Sequence, residues 1–403
     1  LVMHETKYIR AGYLIDGSGR PIRKDVLLTI AEGKIVGINP FSMDNVADSS
    51  RLVDLSRCTL TPPLVDSHVH LALSASIDKN VRARQLEAEY QEVAAIIARN
   101  LGYIFSHGIL ALRDGGDKNG HVLRYKVETA ENPILPVRLE VSGRAWHRKG
   151  RYGSMLGRHP AVKESLATAV IRESGPIDQV KLINSGPNSL SEFGKQTPPQ
   201  FTLDELRETV SLAHARGLPV MVHANGVEPV RMAIEAGVDS IEHGYFMGRE
   251  NLVRMAEKQI FWVPTVFAMQ ALTHKVIRIS PAAERAVAAR NVASQLQQIA
   301  WARESGVPIA AGTDSGCHGV LHGEALVEEM KMLIKGGYSL PEVIQAASQN
   351  GARLLGLDDL GLLASGRSAD FLVILGTPAQ LPRKLAYLEA IYINGDSNPL
   401  YRK

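Results

Sequence analysis

Short β-branched or apolar runs recur through the middle of this chain, each separated from the next by a stretch with helical spacing. Eight such runs lie near 64–70, 109–114, 137–143, 179–184, 219–224, 239–243, 260–266 and 307–313. Apolar runs of strand length that alternate with helices are the pattern of a parallel sheet with helical crossovers. Eight of them predict an α/β fold closed as a (β/α)8 TIM-like barrel. Thr202-Leu203-Asp204-Glu205 places a hydroxyl at the N-cap position and a glutamate three residues on, so a capping box is expected to open one of the crossover helices.

The two ends read differently. Tyr8-Ile9-Arg10-Ala11-Gly12-Tyr13-Leu14 and Asp25-Val26-Leu27-Leu28-Thr29-Ile30 look like antiparallel strands, with a hairpin turn expected at Glu32-Gly33-Lys34. Phe371-Leu372-Val373-Ile374-Leu375 and Leu388-Glu389-Ala390-Ile391-Tyr392-Ile393 have the same character. Neither end has enough strands to bury a core alone. Residues 1–60 and 361–403 are therefore expected to meet in one small β-sandwich beside a barrel spanning 61–360. The length of 403 residues suits a barrel of roughly 250–300 residues with a smaller companion.

Bulk properties exclude several classes of function. The formal net charge is only +3, without the concentrated basic stripe of a nucleic-acid binder. No apolar stretch approaches the roughly 20 residues of a membrane span. The start Leu1-Val2-Met3-His4-Glu5 lacks the basic and apolar regions of a signal peptide. Two cysteines, Cys58 and Cys317, imply no disulfide framework. The expectation is a soluble cytoplasmic protein acting on a small molecule, without nucleic-acid or membrane partners.

The residues that carry chemistry fall at the C-terminal ends of the expected strands, where barrel active sites are built. In Asp66-Ser67-His68-Val69-His70 the two histidines are two residues apart on one strand, so both imidazoles face the same way and can meet one metal. Lys181 interrupts the apolar run Val180-Lys181-Leu182-Ile183. A buried ammonium is costly, and burial turns it into a neutral, nucleophilic amine. Such an amine can add carbon dioxide to form a carbamate that bridges two cations, although a lysine reaching solvent from a strand end is the plainer reading. His223 and His243 each end a short apolar strand, and Asp314 ends the last one. Singly, each of these two histidines is more simply a hydrogen-bonded core residue, and Asp314 reads equally well as a turn or N-cap aspartate. Together they place six candidate ligands at strand ends: His68, His70, Lys181, His223, His243 and Asp314. Imidazole and carboxylate donors suit zinc first, and also manganese or iron.

With these residues in view, the chain resembles the amidohydrolase superfamily, and within it the imidazolonepropionase and metal-dependent prolidase-like group. The resemblance runs through Leu60-Thr61-Pro62-Pro63-Leu64-Val65-Asp66-Ser67-His68-Val69-His70, Leu112-Arg113-Asp114-Gly115-Gly116, Ser240-Ile241-Glu242-His243-Gly244, Gly312-Thr313-Asp314-Ser315 and Gly366-Arg367-Ser368-Ala369-Asp370-Phe371. It implies that His68, His70 and Asp314 hold one divalent ion and His223 and His243 a second, with Lys181, carboxylated on its Nζ, spanning both. It implies a hydrolase that cleaves a carbon–nitrogen bond of a small substrate such as a dipeptide or N-acyl amino acid. Two cations roughly 3.5–4 Å apart lower the pKa of a shared water to give the attacking hydroxide. Asp314 is then expected to take up its proton and return it to the leaving nitrogen.

Two departures from the prolidase-like pattern stand out. Where many such members carry glycine-glycine-histidine, this chain has Ser142-Gly143-Arg144-Ala145-Trp146-His147, which makes His147 the candidate for the same role. Two residues past the fifth-strand histidine stands Asn225 rather than tyrosine or histidine. The basic loop with Arg144, Arg148, Lys149 and Arg151 offers a partner for a substrate carboxylate, Arg144 above all, and His322 is expected to contact substrate or support the site. A mononuclear deaminase or hydrolase of a heterocyclic, urea or carbamate substrate is the alternative. Lys181 and Gly226 weigh against it, because deaminases of this superfamily carry other residues there, while the nearby Glu228 keeps it open. A scaffold without catalysis is the third reading, disfavoured by six competent ligands. A homo-oligomer is the base rate for such enzymes.

Overall fold

The computed structural model describes residues 6–173, 175–273 and 281–402. The terminal segments meet in one connected sheet of seven strands, where the sequence suggested a sandwich. From one edge to the other its strands are Asp396–Ser397, Ala390–Ile393, Phe371–Leu375, Leu52–Thr61, Lys7–Leu14, Arg23–Ala31 and Lys34–Pro40. Lys7–Leu14 and Leu52–Thr61 run parallel, and the other neighbours antiparallel. The expected hairpin forms: Ala31 pairs with Lys34, and the two turn residues, Glu32 and Gly33, have φ of 52° and 72°. Positive φ at both positions matches the right-handed twist of the flanking strands.

Period-two alternation explains how this sheet serves two cores. In Phe371–Leu375, Phe371 and Val373 face a cluster with Ile9, Leu28, Ile30 and Leu60. Leu372 and Ile374 face the opposite way, into the main core. Leu388 and Ile391 join them there. One sheet face is thus welded onto the rest of the chain by apolar burial.

The remaining strands form two parallel sheets. One has three strands, Leu64–Val69, Ile109–Asp114 and Arg138–Val141. The other runs Phe261–Val263, Ser240–His243, Val220–Ala224, Val180–Ile183, Ala145–Trp146 and Gly157–Arg158. Helices separate most of these strands in sequence. The helix Leu203–His214 opens with the expected capping box, Thr202 Oγ1 accepting from the Glu205 amide and Glu205 Oε2 from the Thr202 amide.

Seven of the eight expected runs form strands, and the eighth is a correction. Residues 307–313 make no continuous ladder; this stretch touches its neighbours through isolated bridges, Ile309 with Trp262 and, just beyond it, Ser315 with Val69. The reason is local. The Thr313 amide and hydroxyl are taken by the Asp66 carboxylate at 3.1 and 2.7 Å, and Gly312 lies so close to the His68 backbone that an added Cβ would sit 2.9 Å from its nitrogen. The segment still lies between Leu64–Val69 and Phe261–Val263, with the Ser67 amide donating to Ala311 O and the Ala310 amide to Trp262 O.

Candidate metal centre

Four parallel strands and the 309–315 segment deliver His68, His70, Lys181, His223, His243 and Asp314 to one cavity of about 320 Å³. His68 Nε2 and His70 Nε2 lie 3.5 and 3.3 Å from Asp314 Oδ1. One ligand atom from each of these three residues lies within 4.8 Å of the others, the spacing of donors around a single ion. The His68 and His243 ring centroids are 5.1 Å apart, and those of His223 and His243 4.6 Å. Asp314 and His243 hold φ of 57° and 68°, a conformation non-glycine residues adopt only when their surroundings enforce it. The Asp314 amide donates to His68 O at 2.8 Å, and Gln295 Nε2 donates to His243 O at 2.5 Å, so each strained residue is tied down.

The rings are oriented from behind. His68 Nδ1 meets Glu242 Oε2 at 2.5 Å, His70 Nδ1 meets Gly116 O at 2.9 Å, and His243 Nδ1 meets Thr265 Oγ1 at 2.7 Å. In all three the Nδ1 atom is engaged and Nε2 is left for the cavity. His223 is held by the opposite nitrogen, Nε2, which donates to Gly186 O at 3.1 Å and leaves Nδ1 available. Fixing one ring nitrogen in this way sets the tautomer and aim of a metal-binding histidine. Glu242 is itself anchored: Arg113 Nη2 donates to its Oε1 at 2.7 Å, and Ser240 Oγ at 2.5 Å. Arg113 also donates to Ser67 O and Ser240 Oγ, tying the strands Leu64–Val69, Ile109–Asp114 and Ser240–His243 together.

Electrostatics holds most of these donors in their metal-binding states; His70 is the exception, because burial is outweighed by the Asp314 hydrogen bond and charge, which raise its pKa. Burial, reinforced by the Lys181 charge, lowers His68 and His223 to about 4, so both rings are neutral at pH 7. Burial likewise holds His243 well below its ordinary value. Burial would raise Asp314, but the His70 hydrogen bond and the surrounding imidazoles hold its carboxyl well below the usual range. Burial brings Lys181 down to about 8, within reach of the neutral amine that carbamate formation requires.

The supporting residues were hidden in the sequence. Glu242 and Arg113 sit inside strand runs that read as matches without a role, and Asp66 reads as the polar start of the histidine motif. Their partners are 174, 129 and 247 positions away, so no local pattern announces them. The remaining candidates fall outside the cluster. His322 is buried behind His70, its Nε2 3.2 Å from His70 O, and does not line the cavity. His147 and Arg144 line a separate, neighbouring cavity, and the His147 ring is held by the Arg148 carbonyl at 2.9 Å. Asn225 does line the first cavity, and its Oδ1 accepts the Tyr245 amide.

Known proteins share this architecture. The Amidohydrolase family profile matches residues 59–397. An uncharacterized protein of Mycobacterium tuberculosis is 27% identical over 389 residues, covering 94% of each chain. An imidazolonepropionase of Rhizorhabdus wittichii is 25% identical over 92% of this chain and 93% of its own. The crystal structure of a Xaa-Pro dipeptidase with methionine in its active site superposes with a TM-score of 0.81, at 26% identity over 98% of this chain and 100% of that one. With a profile match over most of its length and relatives that align nearly end to end, the chain belongs to the amidohydrolase family, hydrolases of carbon–nitrogen bonds.

Proposed function

We propose that this protein is a binuclear metal-dependent amidohydrolase that cleaves the amide bond of a small substrate, with dipeptides and N-acyl amino acids as the leading class. The observation that carries this reading is the convergence of four imidazoles, one carboxylate and one buried lysine amine on a single cavity. The donor set fits divalent ions, because burial holds the His68, His223 and His243 rings neutral and each of the four rings has one nitrogen committed elsewhere. His68, His70 and Asp314 would hold one ion, His223 and His243 the other, and carboxylated Lys181 both. Zinc suits these donors best, with manganese or iron as alternatives. When bound, the ions supply Lewis acidity for the scissile carbonyl and an acidified water. The chain supplies the rest. Asp314 takes a proton from water and delivers it to the leaving nitrogen. The two parallel sheets, read as one barrel with 309–315 closing the ring, carry these groups on one rim, and residues 1–60 with 361–403 form the companion unit.

The cavity wall speaks for the substrate. Leu73, Met155, Leu156, Leu190, Met269 and Leu272 line it, a surface for an apolar side chain or acyl group. The dipeptidase and imidazolonepropionase relatives support amide substrates, linear and cyclic respectively. The test is a panel of zinc-loaded assays on Xaa-Pro dipeptides, N-acyl amino acids with apolar acyl groups, cyclic amides and aminated heterocycles. The reading predicts turnover of an amide that Asp314→Asn reduces by about 10²–10⁴-fold. Ammonia release from heterocycles, with every amide inert, would transfer the assignment to a deaminase.

A further inference from the structure

The basic loop does not open into the metal cavity. It builds a cavity of its own, of about 800 Å³, lined by Arg144, Lys149, Arg151, Arg158 and Arg172 with His159, against one carboxylate, Glu173. Glu173 is already shared by Arg158 and Arg172, and Arg172 also pairs with Glu164 at 2.6 Å. Among the described residues, Arg144 and Lys149 have no carboxylate in ion-pair reach. Arg144 Nε and Arg158 Nε are both buried without a hydrogen-bond partner. Arg158 is only 20% exposed and its guanidinium lies 4.5 Å over the Trp146 ring, so the charge is held in place by packing. Burial, with Arg144 and Arg172 as like charges nearby, lowers the Arg158 pKa. Half-desolvated cations gathered around unfilled donors are unfavourable alone and become favourable when an anion neutralises them.

We propose that this cavity is a binding site for a small oxyanion, phosphate or a polycarboxylate, separate from the metal centre. Arginine forks suit either group, since both present paired oxygens. The two cavities share a wall: Tyr152, Met155 and Leu156 line the metal cavity, while Arg151, Ser154 and Gly157 line the basic one. An anion that fixes this loop would therefore be felt by the substrate.

Calorimetric titration of the zinc-loaded protein with phosphate, and separately with citrate, in low-chloride buffer tests the site. The proposal predicts one anion per chain, bound about tenfold more weakly in Arg144→Gln and in Arg158→Gln, and unchanged in Asp314→Asn. Arg158→Gln also loses a structural pair, so Arg144→Gln, checked by circular dichroism, is the deciding variant. Preference for phosphate or citrate identifies the anion class. Binding abolished by Asp314→Asn and indifferent to Arg144→Gln would place the anion at the metal centre and overturn the proposal, as would no binding of either anion.

Discussion

Removing the Glu242 carboxylate would release two buried partners at once, the Arg113 guanidinium and the His68 ring. Burial should raise the pKa of this acid, yet Arg113 and His68 hold it well below the usual carboxylate range. Glu242→Gln keeps the shape and deletes the charge. It is expected to weaken metal binding by about 10–100-fold, measured by equilibrium dialysis against a zinc buffer. Stability should fall by about 3–5 kcal/mol in urea unfolding, because Arg113 becomes an unpaired buried charge. An unchanged metal affinity would make the network a matter of stability alone. At this scale the sequence was legible wherever a residue type was out of place on its own strand: Lys181 amid valine, leucine and isoleucine, or histidines two apart. It was opaque where the role depends on a partner far away in sequence and outside the residue's own sheet, as for Glu242 and Asp66. For His147 and Arg144 the loop's charge was visible in the sequence, but not that the loop lines a cavity beside the metal site.

Elements follow local rules more closely. The capping box at Thr202 satisfies two orphan groups, so Thr202→Ala should cost about 1 kcal/mol in thermal or urea unfolding. The strand Arg138–Val141 carries a pH-dependent cost. Burial, then the neighbouring Asp178, raises Glu140 from 4.5 to about 7. The folded state therefore holds the Glu140 proton between these values while the unfolded state has released it, and stability falls as pH rises through that window. Glu140→Gln is expected to be more stable than the parent at pH 8, with the advantage fading toward pH 4.5, as urea midpoints across that range would reveal. Strands buried along their whole length, such as Val220–Ala224 and Leu64–Val69, were readable for the physical reason that burial on both faces demands apolar runs. The last apolar run forms no ladder because Gly312 and the Asp66–Thr313 contacts divert its backbone groups.

For the molecule as a whole, the decisive feature is that the terminal sheet shares its apolar face with the main core. Gly108, at φ 72°, lies so close to Leu372 and Leu388 that a Cβ there would approach Leu372 within 2.6 Å. Leu372→Ala should cost about 2–5 kcal/mol and leave a single cooperative transition, since the two regions bury one surface together. Two resolved transitions in calorimetry would mean that the units melt independently. No helix among the described residues is long and apolar enough to cross a membrane.

Metal content per chain tests the central claim most directly. Elemental analysis would be run on the protein purified with zinc and bicarbonate, for the parent and for Lys181→Ala. The account predicts close to two ions in the parent and a clear fall in the variant, because Lys181 is the one donor proposed to serve both ions. One ion in each protein would leave Lys181 a bystander and contradict the binuclear site.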